Sequence, residues 1–162
     1  MQSEIKKLLQ DKDSVLVFDV DGVLAVMEFG EHNHYTLDDE EWYKANISWK
    51  NFYTEEKVSK KMQDFLSKRD MKRVYVITKA ASVEEFNHKK RFVNENYGIN
   101  MENVYLIEKE TEKKEKLREI KWIYEGLPDY KLIMVDDSVS ILNDVMDNTK
   151  FSTVHISSFL DM

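Results

Sequence analysis

The chain has 162 residues, with 24 Lys and Arg against 31 Asp and Glu and a formal net charge of −7. That length suits one domain with a real core, and no apolar run approaches the roughly 18 residues of a membrane-spanning helix. With no cysteine in the chain, disulfides, zinc–thiolate sites and thiol catalysis are excluded, and the acidic balance argues against a broad nucleic-acid surface, which needs clustered cations.

The opening MQSEIKKLLQ lacks the apolar stretch of a signal peptide. The expectation is a cytoplasmic protein with no membrane partner and no nucleic-acid partner. Residues 3–11 read as a short helix, with Ile5, Leu8 and Leu9 on one side. The run SVLVFD at 14–19 suits a strand covered on both faces, as in a parallel sheet. Residues 54–70 place Val58, Met62, Phe65 and Leu66 at helical spacing. RVYVIT at 73–78 predicts a second buried strand. Ser82 and Glu85 have capping-box spacing and open a helix reaching Tyr97. NVYLI at 103–107 predicts a third strand, and a helix follows over 112–125 with Leu117, Ile120 and Tyr124 on one stripe. KLIMV at 131–135 predicts a fourth strand, followed by a helix near 138–147 and a last strand in STVHI at 152–156.

Strand and helix thus alternate from residue 14 onward, which predicts an α/β sandwich around a mostly parallel sheet. Residues 25–53 break the rhythm. They are rich in His, acids and aromatics, and as the segment following the first strand they are expected to form a small flap over its carboxyl end. His32 and His34 alternate there but read as a solvated loop, since no further ligand stands at motif spacing.

In an open parallel sheet, sites form at the carboxyl ends of the strands. The first strand ends in Asp19-Val20-Asp21-Gly22, the second in Thr78-Lys79, and the fourth in Asp136-Asp137-Ser138. The third leads through Glu108 to a lysine-rich helix start. Two carboxylates about 4 Å apart repel by roughly 4 kcal/mol at an effective dielectric of 20, so a cluster of acids needs protons or a cation. Oxygen donors without cysteine suit a hard ion, Mg²⁺ above all. Thr and Lys donors beside such an ion make a phosphate site.

The order Asp-x-Asp, Thr, Lys, Asp-Asp resembles the haloacid dehalogenase-like superfamily of phosphotransferases. VFDVDGVL at 17–24 is similar to its first motif, VYVIT at 74–78 to its second, the lysines at 113–116 to its third and LIMVDDS at 132–138 to its fourth. The motifs span residues 14–147. Many relatives carry Gly where Val135 stands and a further Asp where Ser140 stands. The resemblance implies a Rossmann-like three-layer fold and a Mg²⁺-dependent phosphomonoester hydrolase. In it, Asp19 is the nucleophile that forms an aspartyl-phosphate. Asp21 is the general acid and base and lends its backbone carbonyl to the metal. Thr78 and a lysine hold the phosphoryl oxygens. Asp136 ligates Mg²⁺, with Asp137 beside it as a direct ligand or as support. Lys113 stands at the family's offset before Leu117, while Lys109, Lys114 and Lys116 compete for that role.

The stretch between Asp19 and Thr78 has room for a flap and one helix but not for a large cap. A nearly open site implies, in the family, either access to a large substrate or a lid from a partner subunit of a homo-oligomer. VDDSV at 135–139 is similar to the fourth motif of capless sugar-acid phosphatases, and residues 75–97 to the second-motif region of deoxyribonucleotidases. A small phosphorylated metabolite, sugar phosphate or nucleotide, is the expected substrate. A phosphotransferase and a non-catalytic phosphate-binding module on the same fold remain as alternatives.

Overall fold

The buried apolar runs line up as one parallel sheet. The computed structural model describes residues 2–26, 41, 53, 58–160 and 162. Its strands are β1 (Val15–Phe18), β2 (Val74–Lys79), β3 (Val104–Ile107), β4 (Leu132–Asp136) and β5 (Ser152–His155). They lie in the order β3-β2-β1-β4-β5, and every neighbouring pair is parallel. β1, β4 and the first five residues of β2 are buried throughout, as their unbroken Val, Leu and Ile runs require.

The helices are α1 (Gln2–Gln10), α2 (Lys60–Leu66), α3 (Val83–Tyr97), α4 (Lys113–Ile123) and α5 (Val139–Asn148). They cover both faces of the sheet. On one face Leu16, Phe18, Val74 and Val76 pack with Leu9 of α1, Met62 and Leu66 of α2, and Phe92 and Val93 of α3. On the other, Val15, Val17, Tyr75 and Ile77 pack with Leu117 and Ile120 of α4 and Leu142 and Val145 of α5. Alternation along each strand assigns neighbouring residues to opposite layers. The result is a Rossmann-like three-layer sandwich, all-parallel among the described strands rather than mostly parallel.

The helix expected over 54–70 is shorter at its end. Ser67 closes α2, and Asp70 then accepts a hydrogen bond from the Lys72 amide to start a 3-10 turn at Met71–Arg73. Residues 54–57 lie outside the described residues. So do 27–40 and 42–52, and with them most of the expected flap and the His32 and His34 pair. Among the described residues no helix is long and apolar enough to cross a membrane.

The topology fixes where a site forms. The chain winds from β1 through β2 to β3, then returns to place β4 on the other side of β1. The strand order reverses between β1 and β4, and ligands of such sheets bind at that reversal, outside the carboxyl ends. Asp136 ends β4 and Asp19 directly follows β1, and the Asp19 amide donates to the Val135 carbonyl at 3.1 Å.

Candidate active site

After β1 the chain turns sharply. The Val20 carbonyl accepts from the amides of Val23, Leu24 and Ala25 at 3.2, 2.9 and 2.8 Å. Gly22 adopts φ +77°, a left-handed conformation open to glycine at little cost. A Cβ there would stand 2.2 Å from Asp137 Oδ2. The turn and the tip of β4 therefore touch, with only a glycine's width between them. Gly22→Ala is expected to cost at least about 1–2 kcal/mol from the backbone alone and to push Asp137 out of place. Urea denaturation and Mg²⁺ titration read both effects, and an unchanged midpoint with unchanged metal affinity would contradict this close fit.

Asp19, Asp136 and Asp137 each offer a carboxylate oxygen, and these atoms all lie within 4.8 Å of one another. Asp19 and Asp136 are buried. Asp136 Oδ1 accepts from the Ser138 amide at 2.9 Å, and its Oδ2 accepts from Lys113 Nζ at 2.7 Å. The Asp137 carbonyl lies 3.0 Å from Nε2 of His155, the last residue of β5, whose Nδ1 faces the Ser157 hydroxyl and amide. The neutral ring with its proton on Nε2 satisfies all three contacts, and it pins the Asp136–Ser138 turn to the neighbouring strand. A compact, oxygen-only, largely buried donor set of this kind fits a hard divalent cation.

Of the four competing lysines, Lys113 turns inward. It is buried, and its Nζ lies 2.7 Å from Asp136, 3.3 Å from Asp19 and 2.8 Å from Glu110. Lys114 pairs with Asp144, Lys116 pairs with Glu119, and Lys109 is exposed. The helix phase decides this: Lys113, Leu117 and Ile120 share the buried stripe of α4. Burial alone would pull the Lys113 ammonium down, but Asp19, Asp136 and Glu110 outweigh it and hold the ammonium well above the usual lysine range.

The Asp19 carboxyl is pushed up to about 7. Burial is the main cause, opposed by Lys113 and reinforced by Asp136, Asp21 and Glu110. A folded-state pKa above the unfolded value means that the folded chain holds the proton more tightly. Stability from this group is therefore present below about pH 4 and is lost as pH rises through about 7. The expected outcome is that Mg²⁺ raises the melting temperature of metal-free protein more at pH 8 than at pH 5. Thermal scans with and without Mg²⁺ measure this, and equal shifts at the two pH values would contradict it.

The Asp21 carboxylate lies outside the acidic triad. Its Oδ1 accepts from the Tyr53 hydroxyl at 2.6 Å and its Oδ2 from Lys89 Nζ at 2.7 Å. The sequence-based expectation gave Asp21 a metal contact only through its backbone carbonyl, and the side chain faces the opposite layer. Thr78 is buried at the tip of β2, with Oγ1 3.4 Å from Lys89 Nζ. The structure thus brings all six expected residues, Asp19, Asp21, Thr78, Lys113, Asp136 and Asp137, to one edge of the sheet.

Lys89, Glu85 and Tyr53 were not foreseen as site residues. Lys89 is 1% exposed and pairs with Glu85 one helical turn earlier at 2.9 Å. Glu85 also closes the predicted cap: the Ser82 hydroxyl accepts from its amide, and its own Oε2 accepts from the Ala81 amide. The signal was present in the periodicity. Glu85 and Lys89 lie on the same face of α3 as Phe92, Val93 and Tyr97, and charges on an otherwise buried stripe need partners inside.

No family profile and no curated protein matches this chain. The chain is similar in fold to the solved structure of DsGPDH of Dunaliella salina, with a TM-score of 0.50 and 18% sequence identity over 94% of this chain and 25% of that one. The chain spans about a quarter of the length of that protein. The likeness concerns the α/β layering and says nothing about the acids at the strand tips.

Proposed function

We propose that this protein is a phosphomonoester hydrolase of the haloacid dehalogenase-like type. The observation that carries the reading is the meeting of Asp19 and Asp136 across the buried Lys113 at the point where the strand order reverses. Asp19, Asp136 and Asp137 would hold Mg²⁺, which when bound supplies positive charge against the phosphoryl oxygens. Lys113 and Thr78 bind those oxygens from the protein side.

Asp19 attacks phosphorus, and the bond from phosphorus to the ester oxygen breaks. Asp21 gives that oxygen a proton, and an aspartyl-phosphate remains. Water then attacks this phosphorus, giving its proton to Asp21. Inorganic phosphate leaves, and the Asp19 carboxylate is restored. Two displacements replace one difficult hydrolysis, and one carboxyl serves first as acid and then as base. A small phosphorylated metabolite is the proposed substrate. The test is turnover of p-nitrophenyl phosphate with Mg²⁺, followed by a panel of sugar phosphates and nucleotides. Binding of these compounds without turnover at any metal concentration would overturn the reading in favour of a phosphate-binding module.

A further inference from the structure

Among the described residues two lysines are buried, Lys89 and Lys113. They enter the site from opposite layers, Lys89 from α3 and Lys113 from α4. Each has an acid on its own element or just before it, Glu85 for Lys89 and Glu110 for Lys113, and each also reaches an acid of the β1 tip. Lys113 faces the acidic triad. Lys89 serves nothing in the two displacements described above, yet burying an ammonium costs several kcal/mol unless partners surround it.

Its surroundings are crowded with acceptors. Asp21 Oδ2, Glu85 Oε1, the Lys79 carbonyl and Thr78 Oγ1 lie 2.7, 2.9, 2.5 and 3.4 Å from Nζ. An ammonium has three protons for them. The longest of the four contacts is to the hydroxyl assigned to hold a phosphoryl oxygen. Asp21 meanwhile accepts from both Lys89 and Tyr53. Both oxygens of Asp21 are thus occupied, one by the layer of α3 and one by Tyr53.

We propose that Lys89 is a second phosphate-holding lysine, which moves from Asp21 to the phosphoryl group when a phosphomonoester enters. This rests on the phosphatase reading and adds a residue and an order of events to it. In the free protein Lys89 neutralises Asp21. A phosphate dianion beside Thr78 is the stronger competitor for the ammonium, since it carries more charge. Once Lys89 has turned to the phosphate, Asp21 keeps the Tyr53 hydroxyl as its partner. Glu85 keeps the lysine at the site in both positions.

The test reads binding of inorganic phosphate by calorimetry in saturating Mg²⁺. Lys89→Met is expected to weaken phosphate binding by about ten- to hundredfold, with Mg²⁺ affinity within about twofold of the unaltered protein. A lysine that merely neutralised Asp21 would also disturb phosphate binding, so the decisive comparison is made in the Asp21→Asn background. There the loss on adding Lys89→Met persists if Lys89 holds phosphate and disappears if it is only a counterion, and its disappearance overturns the proposal. Should Lys89→Met fail to fold, the unaltered protein still decides. The ¹⁵Nζ resonance of Lys89, assigned by its absence in Lys89→Arg, is expected to shift when phosphate saturates the site. A resonance indifferent to bound phosphate overturns the proposal and leaves the phosphatase reading standing. Absence of any phosphate binding by the unaltered protein overturns both.

Discussion

Asp19→Asn is expected to abolish Mg²⁺-dependent turnover, by more than about ten-thousandfold, since removal of a nucleophile leaves no covalent route. The same substitution is expected to stabilise the metal-free fold at pH 8. Asp19 is buried beside Asp136, and burial with its acidic neighbours raises its pKa to about 7, so above that pH the folded chain carries an ill-solvated charge. The amide fills the same space without that charge, and Lys113 keeps Asp136 and Glu110 as partners. At pH 5 the wild-type carboxyl holds its proton and the two proteins should melt together. Activity assays and thermal scans at both pH values provide the check. Residual turnover within about tenfold of wild type would remove Asp19 from the chemistry, and a destabilised Asp19→Asn at pH 8 would contradict the crowding of charge.

Lys113→Met is expected to have the largest effect on folding. It fills a similar volume but leaves Asp19, Asp136 and Glu110 facing one another with no cation. Breaking a buried pair from one side typically costs about 3–5 kcal/mol, a large part of an ordinary domain's stability of about 5–15 kcal/mol. Urea denaturation at pH 8 without metal should show the full loss. Saturating Mg²⁺ should recover part of it by supplying positive charge to the acids, and so should a pH near 5, at which Asp19 holds its proton. A loss below about 1 kcal/mol would mean that this lysine does not hold the cluster together.

The layers of the fold and most of the site could be read from the sequence because each rests on a local signal. SVLVFD, RVYVIT and KLIMV are apolar runs long enough for buried strands and too short for helices, and their ends carry Asp19, Thr78 and Asp136. Ser82 and Glu85 gave the start of α3 correctly because a cap is decided by side chains three residues apart. Lys113 was harder to separate from its neighbours. Its selection depends on the rotation of α4 about its own axis, which Leu117 and Ile120 set only once they meet the sheet. Lys89 and Tyr53 escaped notice because their partner Asp21 is distant in sequence. The buried face of α3 marks Lys89 as a charge in need of a partner, but which acid it meets is settled only once α3 has packed against the sheet. His155 escaped for the same reason, since its contact with the Asp137 carbonyl is made across neighbouring strands.

Asp19 and Asp21 are nearly adjacent in the chain but answer to different layers, the first to Lys113 of α4 and the second to Lys89 of α3. Adaptation can therefore treat them separately. If the phosphatase reading holds, substitutions along α3 would retune how readily poor leaving groups are expelled, while the acids proposed to hold the ion, beside α4 and β4, would stay as they are, so one scaffold could diversify in the esters it cleaves without relearning how to grip a metal.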